Sequence, residues 1–98
     1  MMNGYFSAGD WTLKEGHAEG DFVTAWLGSV DMDPPIDGLR VRPRLLRDMT
    51  RPGSFRSFAE WESREAIERF RTRPDFAGAM AAIREHADFT IYTLQEIA

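Results

Sequence analysis

Ninety-eight residues leave room for one domain over 1–98, and a chain 43% hydrophobic and 12% aromatic holds enough apolar surface to fold. The net charge of -4 argues against nucleic acid, which asks for a concentrated positive footprint, and the absence of cysteine excludes disulfides, a thiolate nucleophile and any zinc or iron-sulfur site built on thiolate sulfur. No run approaches the roughly 18 apolar residues of a membrane span, and Met1-Met2-Asn3-Gly4 lacks the basic and apolar regions of a secretory leader, so the expectation is a cytoplasmic protein without membrane association.

Taken in chain order, Tyr5 to Leu13 alternates loosely with aromatic residues and reads as a strand, closed off at Gly16. From His17 to Val30 the apolar residues Phe22, Val23, Trp26, Leu27 and Val30 form the stripe of an amphipathic helix, with Glu19 and Asp21 where negative charge suits the helix dipole. Asp31 to Asp37 contains Pro34-Pro35 and must be a loop. Leu39 to Met49 follows as a second strand, in which Pro43 cannot donate to a ladder and so belongs at a sheet edge or on a bulge. Arg51-Pro52-Gly53 turns the chain into a third strand, Phe55 to Trp61. Ser63 is placed to cap a short helix that buries Ala66, Ile67 and Phe70. Pro74 opens another, whose stripe is Phe76, Ala79, Met80, Ile83 and Ala87. Phe89 to Ile97 alternates as the fourth strand.

Two strand-helix-strand halves in tandem, joined by right-handed crossovers, predict an α+β, ferredoxin-like βαββαβ fold with a four-stranded antiparallel sheet and helices on one face. The strands carry apolar residues on both pleats, and a chain this short has no further element for the second face. A second copy is the economical cover, which predicts a homodimer packed through positions such as Phe6 and Ala8.

Several chemistries are excluded by pattern. The two histidines, His17 and His86, are far apart in sequence, and Asp31-x-Asp33-x-x-x-Asp37 has Ile36 in place of the calcium loop's glycine and Arg42 in place of its closing glutamate. No metal site is predicted. There is no nucleophile elbow, phosphate-binding loop or dinucleotide fingerprint. Six arginines, Arg40, Arg42, Arg44, Arg47, Arg51 and Arg56, face one acid, Asp48, between positions 40 and 56. They read either as a strip for an anionic ligand or as a solvated face paired with helix acids such as Glu62, Glu65 and Glu68 or with a partner subunit, and the second reading is preferred.

Lys14-Glu15-Gly16 leads into Phe22 and Trp26, Leu45-Leu46-Arg47-Asp48 sits in the hairpin, and Phe58-x-x-Trp61-x-Ser63-x-Glu65-Ala66-Ile67 precedes Pro74-Asp75-Phe76. In this order and spacing, over nearly the whole chain, they resemble the antibiotic biosynthesis monooxygenase superfamily of dimeric α+β barrel proteins. The resemblance implies a monooxygenase that needs no cofactor and oxidises a small phenolic or polyketide-like aromatic compound with oxygen. It also implies an apolar pocket between sheet and helices, lined by Trp61, Phe70, Phe76 and Met80 with Trp11 or Trp26 nearby. His86 is the candidate base and Tyr92 a candidate hydrogen-bond donor to a phenolate. Each has a plain structural alternative: the aromatic and methionine stripes are core, His86 is a helix-end residue in water, and Tyr92 is a buried tyrosine with a satisfied hydroxyl. The haem-degrading branch of the superfamily carries an asparagine, a tryptophan and a histidine where this chain has Gly9, Phe70 and Met80, so haem cleavage is the lesser expectation. A non-catalytic dimeric binding domain for an apolar metabolite is the alternative function.

Overall fold

The computed structural model describes residues 4–98, so the reading of the first three residues as free of a leader lies outside the described residues. Alternation on the strands and helical stripes between them yield β1 (Tyr5–Leu13), α1 (Glu19–Gly28), β2 (Leu39–Arg47), β3 (Ser54–Trp61), α2 (Arg64–Arg71), α3 (Phe76–Arg84) and β4 (Ala87–Gln95). The sheet order is β2-β3-β1-β4 with every neighbouring pair antiparallel, which is the ferredoxin-like α+β fold. Pro43 sits on an edge strand and inside a register shift between Val41 and Arg44, where its missing N–H costs no ladder bond.

The element ends differ from the sequence pattern for local reasons. The first helix starts two residues late because Lys14 to His17 closes a turn, His17 N–H donating to the Lys14 carbonyl at 3.1 Å, with Gly16 at φ +80°. It stops at Gly28, and the N–H groups of Ser29, Val30 and Asp31 fold back onto the carbonyls of Trp26 and Leu27. β2 ends at Arg47 because the Asp48 carboxylate accepts from the Thr50 N–H at 2.9 Å and from its hydroxyl at 2.7 Å, bending the chain into the hairpin and leaving Met49 in solvent. Pro74 lies in the turn before α3 rather than in its first turn. Ala87, read as the last position of the helical stripe, is buried as expected but opens β4 opposite Leu13. Ser63 does cap α2, its Oγ accepting from the Ala66 N–H at 3.1 Å.

The helices lie on one face of the sheet, and the core divides there into two clusters. Trp11, Phe22, Trp26, Phe55, Met80, Ile83 and Ala87 pack under α1 and α3. Ala59, Trp61, Ala66 and Ile67 pack under α2. The molecule is 17 Å across its shortest dimension, room for a sheet and one helical layer at the usual spacing of about 10 Å. Among the described residues nothing covers the other face, where Val41, Leu46, Phe58 and Leu94 stay more than a third exposed.

Four of the six arginines of the basic strip are paired, but not with the acids named from the sequence. Arg40 meets Glu60, Arg42 meets Asp31, Arg47 meets Glu19, and Arg56 lies between Asp10 and Asp48. Glu68 is taken by Arg64, one helical turn away. The edge strand reaches its hairpin neighbour, the loop beside it and the start of α1 rather than α2.

Candidate functional site

Between the two core clusters lies a cavity of about 60 Å³, walled by Trp11, Trp26 and Met80 from one cluster and by Ala59 and Trp61 from the other. Phe70 closes it from α2, its ring 5.3 Å from that of Trp61 and 5.1 Å, edge on, from that of Phe76. Five of the six residues expected to bind a ligand, Trp26, Trp61, Phe70, Phe76 and Met80, thus surround one space, with Trp11 beside them. Outside it a groove of about 520 Å³ runs along the β2 edge and shares Val30, Ile36 and Pro43 as walls.

The polar groups of the cavity are fixed by its tryptophans. The Trp11 indole N–H donates to Ser57 Oγ and the Trp61 indole N–H to Ser7 Oγ, each at 2.8 Å. An indole nitrogen only donates, so each serine oxygen is an acceptor in this pair and keeps its own hydroxyl hydrogen to give elsewhere. Neither hydroxyl has another partner among the described residues, and both serines line the cavity.

Gly9 has a steric reason. A Cβ there would come within 2.7 Å of the Trp11 indole, which lies across β1 to reach Ser57. The ring occupies the space that an asparagine side chain would need, and Met80, 8% exposed, presents a thioether where the haem-degrading pattern has an imidazole.

Among the described residues the only ionisable side chain on the cavity wall is Arg71, from the last turn of α2. Its guanidinium donates to Thr93 Oγ1 at 2.7 Å and to the Tyr92 carbonyl at 3.0 Å, a carbonyl on an edge strand. Burial pushes its pKa below the usual guanidinium value.

Two residues expected at the site stand outside it. Tyr92 points to the helix-free face, where its hydroxyl donates to Asp10 Oδ1 at 2.9 Å. That bond, helped by partial burial and the Asp10 charge, raises the phenol's pKa and keeps the group protonated. His86 lies in the turn between α3 and β4, its Nδ1 3.1 Å from His17 Nδ1, and it does not line the cavity.

Sequence reasoning missed Ser7, Ser57 and Arg71. The serines did leave a signal: both occupy the pleat of β1 and β3 that otherwise holds Trp11, Phe55, Ala59 and Trp61, and a hydroxyl on a buried pleat requires a partner. Arg71 left none, because its partners lie 21 and 22 residues away on β4.

Among the described residues no group of three metal-ligating side chains gathers, and no helix is long and apolar enough to cross a membrane.

Residues 41–82 match the family described as antibiotic biosynthesis monooxygenase. In fold the chain is similar to SnoaB, a cofactor-independent oxygenase from Streptomyces nogalater, at 19% identity and a TM-score of 0.84, with 98% of this chain and 95% of that one covered. It is similar to PA3566 from Pseudomonas aeruginosa at 19% identity and a TM-score of 0.76, over 100% of this chain and 98% of that one. A structure described as an antibiotic biosynthesis monooxygenase matches at 18% identity and a TM-score of 0.75, over 96% and 99%. At these identities the likeness speaks for the fold. No curated protein matches the chain in sequence.

Proposed function

We propose, from the premise that this chain belongs to the antibiotic biosynthesis monooxygenase superfamily, that it oxidises a small phenolic or anthrone-like compound with molecular oxygen and without a cofactor. The observation that carries this reading is the aromatic cavity with two serine hydroxyls free to donate into it. Such a substrate supplies its own electrons. Once ionised, its electron-rich ring reduces oxygen, and a ring methylene becomes a carbonyl: one oxygen atom enters the carbon, the other leaves as water with the two displaced hydrogens. The protein's part is to hold the ring between Trp11, Trp26 and Trp61, to exclude water, and to stabilise the anion through hydrogen bonds from Ser7 and Ser57. The inner cavity, at about 60 Å³, takes a ring only in part or after the tryptophans give way, and the adjoining groove of about 520 Å³, of ordinary ligand size, takes the rest of the molecule.

Among the described residues the cavity wall carries no ionisable side chain besides Arg71, so in this reading the substrate proton leaves to solvent rather than to His86. The same lack of a base favours the second reading, a dimeric domain that binds an apolar metabolite without converting it. Oxygen uptake with an anthrone or a hydroquinone, in the presence of a chelator, separates the two. Turnover to quinone that persists under chelation and survives His86→Ala supports the oxygenase. Saturable binding without oxygen consumption supports the binder, and Met80→Trp should abolish either by filling the cavity.

The homodimer belongs to this proposal. Phe6, Val41, Leu46, Phe58 and Leu94 on the helix-free face support a second copy packed there. Sedimentation at micromolar concentration should give about twice the 11.2 kDa chain mass, and a folded monomer would end that part of the proposal.

A further inference from the structure

Four arginines lie along the segment that carries α2, and three of them have a carboxylate. Arg64 meets Glu68 at 3.6 Å, Arg69 meets Asp37 at 3.9 Å and Arg73 meets Asp75 at 3.0 Å. Arg71, the one that lines the cavity, has no acid within ion-pairing distance among the described residues. It is half-buried, and its two fixed partners, the Thr93 hydroxyl and the Tyr92 carbonyl, are neutral oxygens. Taking charge out of water without a counter-ion is costly, and a chain that pairs the neighbouring arginines has left this one open at a cavity wall.

From this we infer that Arg71 is the anchor for a carboxylate on the ligand, so that the compound taken up is an aromatic acid rather than a neutral phenol. The inference rests on the cavity being the ligand site and deepens that reading by naming the substrate class. A phenol is neutral until it ionises and supplies no counter-ion to the resting complex, whereas an aryl carboxylate is charged throughout. A guanidinium has five N–H donors, and the described partners use two of them. The rest retain the planar fork that matches a carboxylate's two oxygens. Thr93 and the Tyr92 carbonyl hold that fork in one orientation, which reduces the entropy lost on binding. The chain therefore sorts its ligand by charge at Arg71 and by shape at the tryptophans.

The experiment is calorimetric titration of the full chain with 2-naphthoate and with its neutral isostere 2-naphthamide. The carboxylate should bind at least about tenfold tighter, as expected for one charge-assisted pair of about 1.5–3 kcal/mol, and its advantage should shrink as salt is raised. Arg71→Met should bring the ratio close to one while naphthamide binding persists, and Arg71→Lys should restore part of it. A melting curve checks that each variant is folded. Should Arg71→Met fail to fold, the ratio and salt dependence of the unmodified protein decide the matter alone. Equal binding of acid and amide there, or a ratio preserved in Arg71→Met, overturns the anchor and leaves the cavity as a ligand site. Failure of both probes to bind overturns the anchor and the cavity reading together.

Discussion

β3 presents two surfaces from one backbone. Phe55, Ser57, Ala59 and Trp61 turn toward the helices and are at most 9% exposed, while Phe58, between them, is 37% exposed with Arg56 and Glu60 beside it. On the first surface, among the described residues, no fully buried side-chain N or O lacks a partner, and the two serines accept from indoles while keeping their hydroxyl hydrogens for the cavity. On the second, large apolar groups alternate with a chain of charges that runs from Tyr92 through Asp10 and Arg56 to Asp48. The difference teaches that the helix-covered side is a packed core with a cavity left in it. The open side has the composition of half an interface.

The largest expected effect tests the open side. Ala8 lies between Phe58 and Tyr92 across the sheet, and a glutamate there would sit in the middle of the proposed contact with the second copy. If the face is covered, Ala8→Glu should abolish the cooperative melting transition altogether, since an unpaired buried charge outweighs the whole of a small domain's stability. On a free surface the same change is worth within about 0.5 kcal/mol. A melting curve superimposable on that of the parent would leave the open face an ordinary surface.

The helix-covered side should respond to deletion instead. Phe22 is fully buried, with ring centroids 5.0 Å from Phe55 and 6.1 Å from Trp11. Phe22→Ala should cost about 3–5 kcal/mol in urea denaturation. A loss under about 1 kcal/mol would mean that α1 can collapse into the gap, a poorer core than the distances imply.

Much of this division was legible in the sequence, and the reason is periodicity. The stripes through Phe22 and Trp26, and through Met80 and Ile83, and the alternation on β3 identify the covered side, because burial repeats with the period of the element. Pro43 announced an edge, and Ser63 a helix start, through constraints local to one residue. What escaped is set across the sheet. The partners of Arg47 and Arg56, the pairing of Ser57 with Trp11 over 46 residues, and the side on which Tyr92 emerges all depend on register, which no single stretch of sequence carries. For the same reason His86 looked available: only the fold shows it facing His17 at the surface and not the cavity.

Gly9 provides a smaller, sharper test of the covered side, because there the core depends on an absent side chain. Gly9→Ala forces the Trp11 indole from its place or bends β1, and either should cost about 1–3 kcal/mol by overpacking. The ring's hydrogen bond to Ser57 should suffer with it, so tryptophan fluorescence should shift even where the loss of stability is slight. An unchanged spectrum with unchanged stability would show that the ring has room to move.

The smallest effect is a titration, and it reads the open side without disturbing it. Tyr92 donates to Asp10, so ionising the phenol would replace a hydrogen bond with two negative charges in contact, and the pKa is raised for that reason first. Partial burial and the Asp10 charge act in the same direction, while Arg56 opposes them. Because the folded pKa stands above the unfolded one, the neutral phenol's contribution to stability is complete below the ordinary tyrosine value of about 10. It is lost as pH rises through the folded value, so stability should fall in the alkaline range. Ultraviolet absorbance should show one of the two tyrosines ionising later than free tyrosine, and Asp10→Asn should bring it back toward the ordinary range. A second copy over this face would desolvate the phenol further, so the late phase should move to still higher pH in the dimer and relax on dilution. A midpoint independent of both Asp10 and protein concentration would mean that the hydroxyl stands in water, on a face that nothing covers.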